Sequence, residues 1–173
     1  LDMVVSPRSD SHSLCGKAAL AAVAMGGFVS ASLAQEGEVS RIQPSPAFSD
    51  ERLASLPRQD WITNGGNIYN QRYSPLDQIN RDNVAQLRGV ARARLNGSGL
   101  DNKYSGEAQP LVYDGVVYIV TGADDVFAIS VDTGEILWSY EANLDQSNDV
   151  ICCGWTSRGV GLGKGKVFVG QLD

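Results

Sequence analysis

From Gln109 onward the chain alternates short apolar runs with clusters of turn-forming residues. Residues 109–113, 116–121, 126–131 and 135–140 are dominated by Val, Ile, Leu, Phe and Tyr, and the gaps between them are Asp114-Gly115, Gly122-Ala123-Asp124-Asp125 and Asp132-Thr133-Gly134. β-Branched and aromatic side chains suit extended backbone, and Asp-Gly pairs suit tight reversals. The pattern predicts four strands joined as an antiparallel meander. Upstream it changes. Residues 61–87 hold the turn clusters Asn64-Gly65-Gly66-Asn67 and Ser74-Pro75-Leu76, after which Ile79, Val84 and Leu87 recur at roughly helical spacing. That spacing predicts a short helix capped by Asn80 or Asp82. Residues 35–60, with Pro44, Pro46 and Pro57 among polar residues, have no sustained apolar period and read as an extended arm.

The meander begins to repeat. Gly115-Val116-Val117-Tyr118-Ile119-Val120 aligns with Gly165-Lys166-Val167-Phe168-Val169-Gly170 at an offset of 50 residues. A period of this size marks a propeller blade or a solenoid unit, and a first unit that already forms a four-stranded sheet favours the propeller. The fold class is therefore all-β. A propeller needs roughly four to eight blades, so residues 61–173 are expected to supply about one and a half blades at the start of a larger propeller domain.

The first 34 residues follow a different pattern. Lys17 precedes the apolar run Ala18 to Leu33, and Ser32-Leu33-Ala34 offers small residues where a signal peptidase cuts. Residues 1–34 read as a secretory signal peptide, which implies that the mature protein is exported. A membrane-spanning helix is the competing reading, but the run is shorter than the roughly 20 residues a bilayer core requires. The signal carries Arg8, Lys17, Asp2 and Asp10, two charges of each sign, so its loss leaves the net charge of −6 unchanged. That acidic balance, with no basic stripe, argues against nucleic-acid binding. The signal also carries His12, the only histidine. Without it the remaining residues cannot build a Ser-His-Asp triad or a His-ligated zinc site by themselves.

Four features carry candidate chemistry. Cys152 and Cys153 are adjacent, the wrong spacing for a zinc knuckle or a Cys-x-x-Cys redox pair. Neighbouring Cα atoms lie about 3.8 Å apart, below the usual ~4.4 to 6.8 Å of a disulfide, so a bond between them would close a strained ring. Two buried thiols, or separate disulfides to other cysteines, are the alternatives, and the residues alone do not choose among the three. The glycine-rich stretch Gly159 to Gly165 lacks the spacing of a dinucleotide fingerprint, has no Ser or Thr after its Gly-Lys, and precedes a β-rich run; it reads as turns between strands. The segment Ala128 to Trp138 places Asp132-Thr133-Gly134 at a turn and offers Trp138 as a flat ring to pack between blades. Lastly, Glu107 sits just before the first strand and Arg158 lies five residues after Cys153. A guanidinium fork there suits an acidic ligand, although a solvated surface charge is the plainer reading of each.

Taken together, Asn70-Gln71-Arg72-Tyr73-Ser74-Pro75-Leu76, Gly106-Glu107-Ala108-Gln109-Pro110-Leu111, the motif ending at Trp138 and Cys152-Cys153-Gly154-Trp155-Thr156-Ser157-Arg158-Gly159 resemble the PQQ-dependent (quinoprotein) alcohol dehydrogenases of the methanol and ethanol dehydrogenase type. The resemblance runs from about residue 57 to residue 173. Ser130 departs from it, standing where the tryptophan motif usually has Asp or Asn, and implies a weaker turn contact. The resemblance implies an eight-bladed β-propeller whose funnel holds pyrroloquinoline quinone and a calcium or lanthanide ion. It implies that a Cys152-Cys153 disulfide ring packs on one face of the quinone, that Arg158 pairs with a cofactor carboxylate, and that Glu107 meets the cofactor's polar edge. It further implies oxidation of a small alcohol to the aldehyde, with electrons passed to a periplasmic cytochrome c or a similar acceptor. The family's metal ligands and catalytic Asp belong to later blades, so no catalytic or metal-binding residue is expected within these 173 residues, and the segment alone is expected to be inactive. A second function, a non-catalytic propeller that binds proteins at the envelope, accounts for Trp138 but leaves Cys152, Cys153 and Arg158 without a role.

Overall fold

The computed structural model describes residues 2–4, 42–95, 104–148, 150–151 and 154–172. The chain divides into two units, residues 1–6 with 42–173 and residues 7–41. The second unit, and with it most of the expected export signal, lies outside the described residues, as do Cys152 and Cys153.

Strand formation follows the turn chemistry. Among the described residues the strands are β1 (Asp2–Val4), β2 (Gly89–Arg92), β3 (Tyr104–Ser105), β4 (Leu111–Tyr113), β5 (Val116–Val120), β6 (Val126–Ser130), β7 (Ile136–Tyr140), β8 (Trp155–Thr156), β9 (Gly161–Gly163) and β10 (Lys166–Phe168). Strands β4 to β7 form the predicted meander, with spatial order equal to chain order and every pair antiparallel. Between β4 and β5 the turn residues Asp114 and Gly115 have φ of 46° and 73°, both left-handed. Such a two-residue turn matches the right-handed twist of the strands it joins. Fifty residues on, Lys164 and Gly165 repeat the geometry at 51° and 70°, joining β9 to β10 with Gly163 opposite Lys166, as Tyr113 stands opposite Val116. The sequence repeat is therefore a repeat of backbone conformation. The glycine-rich stretch forms this hairpin, in keeping with the turn reading.

Strands β5 and β6 are buried along their whole lengths, which explains why they read as continuous apolar runs. Side chains two apart share a face. Val116, Tyr118, Val120, Val126 and Ala128 join Leu111 and Val160 in one cluster, against which Trp138, Leu162, Val167 and Val169 pack. Val117, Ile119, Phe127 and Ile129 form a second cluster with Leu95 on the other face. Trp138 thus lies where the first sheet meets the second hairpin, its ring 6.5 Å from that of Tyr118. Ser130 does make its turn contact, its hydroxyl accepting from the Thr133 N–H at 3.2 Å.

Two expectations change. Inside the arm, residues 50–54 form a helix, α1 (Asp50–Ala54), started by the Ser49 hydroxyl accepting from the Arg52 N–H at 3.3 Å. Five residues are too few to show an apolar period, so only the cap marked it. The arm is also structural: carbonyls of Ser45 and Pro46 accept from Gly165 and Lys164 N–H groups, and Asp60 takes the Asp114 N–H at 3.0 Å while pairing with Arg52 at 2.9 Å. The helix expected near Ile79 shrinks to a 3₁₀ turn, Val84–Gln86, with Asn83 at its start and no side-chain cap. Asn80 accepts instead from the Asp82 N–H at 2.9 Å, and Asn83 from the Asn80 N–H at 2.8 Å. These local side-chain bonds compete with a helical turn and here prevail.

Burial pushes the Tyr118 phenol above its usual pKa, with Tyr113 and Asp114 adding to the effect. The neutral phenol is the form the fold favours. Its contribution is complete below about pH 10, where an unfolded tyrosine begins to ionise, and is lost as pH rises toward the folded value. Tyr118→Phe should therefore lose less stability than the parent between about pH 9 and pH 11. Urea midpoints across that range measure it, and identical slopes would refute the assignment.

Candidate functional site

The functional candidates gather where the two repeat units meet. Strand β3 pairs in parallel with β8, Tyr104 opposite Trp155 and Ser105 opposite Thr156. Further along the same two segments, Gln109 and Gly159, which occupy equivalent positions in the two units, form a parallel bridge, the Gln109 N–H donating to the Arg158 carbonyl at 3.1 Å. Parallel pairing requires no local turn, so nothing short of the repeat itself announced it.

This pairing brings Glu107 and Arg158 together. Arg158 Nε meets Glu107 Oε2 at 3.1 Å, and the Ser105 hydroxyl donates to Glu107 Oε1 at 3.4 Å. The arginine side chain is 79% exposed and the glutamate 48%. At that exposure an ion pair contributes no more than about 1 kcal/mol, so it sets a position without committing either charge. The contact engages Nε and leaves the terminal nitrogens of the guanidinium to meet another acceptor. A cleft of about 640 Å³ opens on the opposite side of this strand, lined by Gly106, Ala108, Arg94, Leu95, Ile119 and Gly122. Glu107 and Arg158 do not line it, because alternate residues of an extended segment face opposite ways.

The backbone under the pair is packed to contact. A Cβ added at Gly122 would lie 2.9 Å from the Ser105 nitrogen, the Ser105 oxygen and the Trp155 oxygen, so only glycine lets this turn sit on the β3–β8 pair. Trp155, 1% exposed, donates its indole N–H to the Asn148 carbonyl at 3.2 Å and stands edge-on to Tyr104 with ring centroids 5.7 Å apart. The Tyr104 hydroxyl in turn donates to Gln146 Oε1 at 2.7 Å. Trp155 is therefore held both to Asn148, seven residues upstream, and to β3. Of the four site residues read from the sequence, Glu107 and Arg158 are brought into contact; Cys152 and Cys153 lie outside the described residues. Gln109, Gly122 and Trp155 stand in the sequence only within motifs and turns, not as site residues, although the offset of 50 residues between Gln109 and Gly159 marks the first.

A guanidinium beside one carboxylate and a hydroxyl suits a planar ligand that carries carboxylates and a polar edge. It does not make a metal site, and among the described residues no group of three His, Cys, Asp or Glu side chains lies together.

A four-stranded antiparallel meander followed by the start of a second copy 50 residues on is the pattern of a β-propeller. Residues 61–167 match the family model of the glucose/ethanol/alcohol dehydrogenase β-propeller domain that uses PQQ, and the chain belongs to that family. It is similar to the quinoprotein alcohol dehydrogenase PedH of Pseudomonas putida, 40% identical over 130 residues that cover 73% of this chain and 21% of the relative. Among solved structures it resembles the quinohemoprotein alcohol dehydrogenase ADHIIG of Pseudomonas putida HK5, with a TM-score of 0.64 and 34% identity over 75% of this chain and 19% of that one. A europium-containing methanol dehydrogenase follows at a TM-score of 0.58 and 30% identity, over 72% of this chain and 21% of that one. The chain thus spans about a fifth of the length of the relatives it matches.

Two glycines separate packing from spacing. Gly122→Ala should lower stability by about 1 to 3 kcal/mol, because its Cβ meets backbone that cannot move aside cheaply. Gly106→Ala, with nothing within 4 Å of its added Cβ, should be close to neutral. Chemical denaturation of the two variants of the full-length protein makes the comparison, and equal midpoints would remove Gly122 as the support of the β3–β8 pair.

Proposed function

We propose that the polypeptide carrying these residues oxidises an alcohol to the aldehyde in the periplasm. The reaction would use pyrroloquinoline quinone and a calcium or lanthanide ion, with electrons passing to a cytochrome c or a similar acceptor. The observation that carries this reading is the contact of Glu107 with Arg158 within a chain of the PQQ propeller family. The names of the similar proteins, alcohol dehydrogenases among them, support the substrate class.

Each residue has a role that its chemistry allows. Arg158 would hold a carboxylate of the cofactor, since its terminal nitrogens present paired donors in the geometry of a carboxylate fork. Glu107 keeps Arg158 in place through Nε and would turn its acceptors to the cofactor's polar edge. Cys152 and Cys153, joined as a disulfide, would pack their ring against one face of the cofactor. Pyrroloquinoline quinone, when bound, would supply the two-electron acceptor of the reaction. These residues bind and orient; the general base and the metal ligands are proposed to come from other parts of the propeller, and residues 1–34 to act as the export signal.

The full-length protein, reconstituted with the quinone and a metal ion, should reduce an artificial dye when supplied with primary alcohols. Arg158→Ala should weaken quinone binding by about ten- to a hundred-fold, the range of one charge-assisted hydrogen-bonded contact. Absence of dye reduction across a broad alcohol panel, with the quinone bound, would overturn the proposed activity.

A further inference from the structure

Gln109 touches both the Arg158 backbone and a loop far from it in sequence. Its N–H donates to the Arg158 carbonyl at 3.1 Å. Its side-chain Oε1 accepts from the Gly65 N–H at 3.0 Å, across 44 residues of sequence. Gly65 is clamped from the other side as well, its carbonyl accepting from the Arg72 N–H at 2.8 Å. The surrounding loop is tied down in turn: the Gly66 N–H bonds to the Thr63 carbonyl at 3.0 Å and the Asn70 N–H to the Asn67 carbonyl at 2.9 Å. Asn67 itself is 1% exposed and bonds to Gln71 Oε1 at 2.6 Å and to the Ala54 carbonyl at 3.3 Å.

The same loop presses on the residue after Arg158. Gly159 has φ +144°, and a Cβ there would lie 2.9 Å from both amide atoms of Asn64 and 3.2 Å from the Gln109 carbonyl oxygen. Loop, inner strand and Arg158-Gly159 therefore meet without slack. Arg158 has a highly exposed side chain, and a long exposed side chain is oriented by its backbone and by few other contacts. What fixes that backbone decides where the guanidinium can reach.

We infer that Gln109 is a positioning residue for Arg158: by tying the Asn64-Gly65-Gly66 loop to the inner strand, it sets the backbone from which the guanidinium engages an acidic ligand. The inference rests on the reading of Arg158 as a carboxylate anchor. Gln109 touches no reacting atom and is not catalytic. Removing its side-chain acceptor leaves a buried Gly65 donor unpaired, so the loop lifts and the Arg158 carbonyl loses its fixed partner.

The test uses the full-length protein and pyrroloquinoline quinone as the titrant, with Gln109→Met preserving side-chain length but not the acceptor. Quinone affinity should fall about ten-fold in Gln109→Met. In an Arg158→Ala background the same change should cost nothing further, because the anchor it positions is gone. A general packing defect would instead weaken both backgrounds equally, and that result overturns the inference, as does unchanged affinity in Gln109→Met. Hydrogen exchange in the quinone-free protein reads the geometry separately. Peptides covering Gly65 and Gln109 should exchange faster in Gln109→Met, while those of β5 keep their protection. If Arg158→Ala leaves quinone affinity unchanged, the cofactor reading fails; the exchange result then decides the positioning, and unaltered exchange at Gly65 and Gln109 refutes it.

Discussion

Everything at the junction depends on the parallel contact between equivalent residues of the two units, Gln109 and Gly159. A contact of this kind lays the first segment of each unit beside its counterpart, an arrangement that propeller blades and solenoid coils share; what separates them here is that the first unit is a whole antiparallel sheet, β4 to β7, as a blade is. Glu107 and Arg158 lie on the paired segments and meet there, whereas Trp138 lies on β7, where the first sheet meets the second hairpin.

The outer contacts are strong and unspecific, and the inner ones weak and specific. Strands β5 and β6 bury both faces, and the apolar surface removed from water there sustains the sheet. At the inner edge, by contrast, strands of two residues rely on close approach at Gly122 and Gly159 and on single backbone bonds. Such a region cannot hold itself together. The 64–72 loop is tied to it through the Gly65 N–H and Gln109, while Asp60 and the Ser45 and Pro46 carbonyls hold the turns at Asp114 and at residues 164–165.

This division explains what the sequence disclosed. Strands β4 to β7 were legible to within two residues because Asp114-Gly115 and Asp132-Thr133-Gly134 punctuate apolar runs, and both signals are local. The repeat was legible because Lys164-Gly165 adopts the turn of Asp114-Gly115. The β3–β8 pairing was not, since two-residue strands have no period and parallel partners share no turn. Helix α1 was hidden by its length, and the helix near Ile79 was over-read because Asn80 and Asn83 spend their side chains on local turns. Glu107 and Arg158 were found by resemblance to a family; that they touch each other is a result of the fold.

The exposure of that ion pair bears on how such a site is prepared for a ligand. A buried pair would resist a new partner, because separating it would strand a charge in low dielectric. Exposed as it is, the pair can exchange part of its contact for a ligand carboxylate at small cost, provided that the guanidinium is already aimed. Orientation then matters more than pair strength, and orientation comes from the backbone at Arg158 and the bond through Gln109. A weak ion pair on a rigid backbone is thus better suited to receiving an anion than a strong pair on a mobile one.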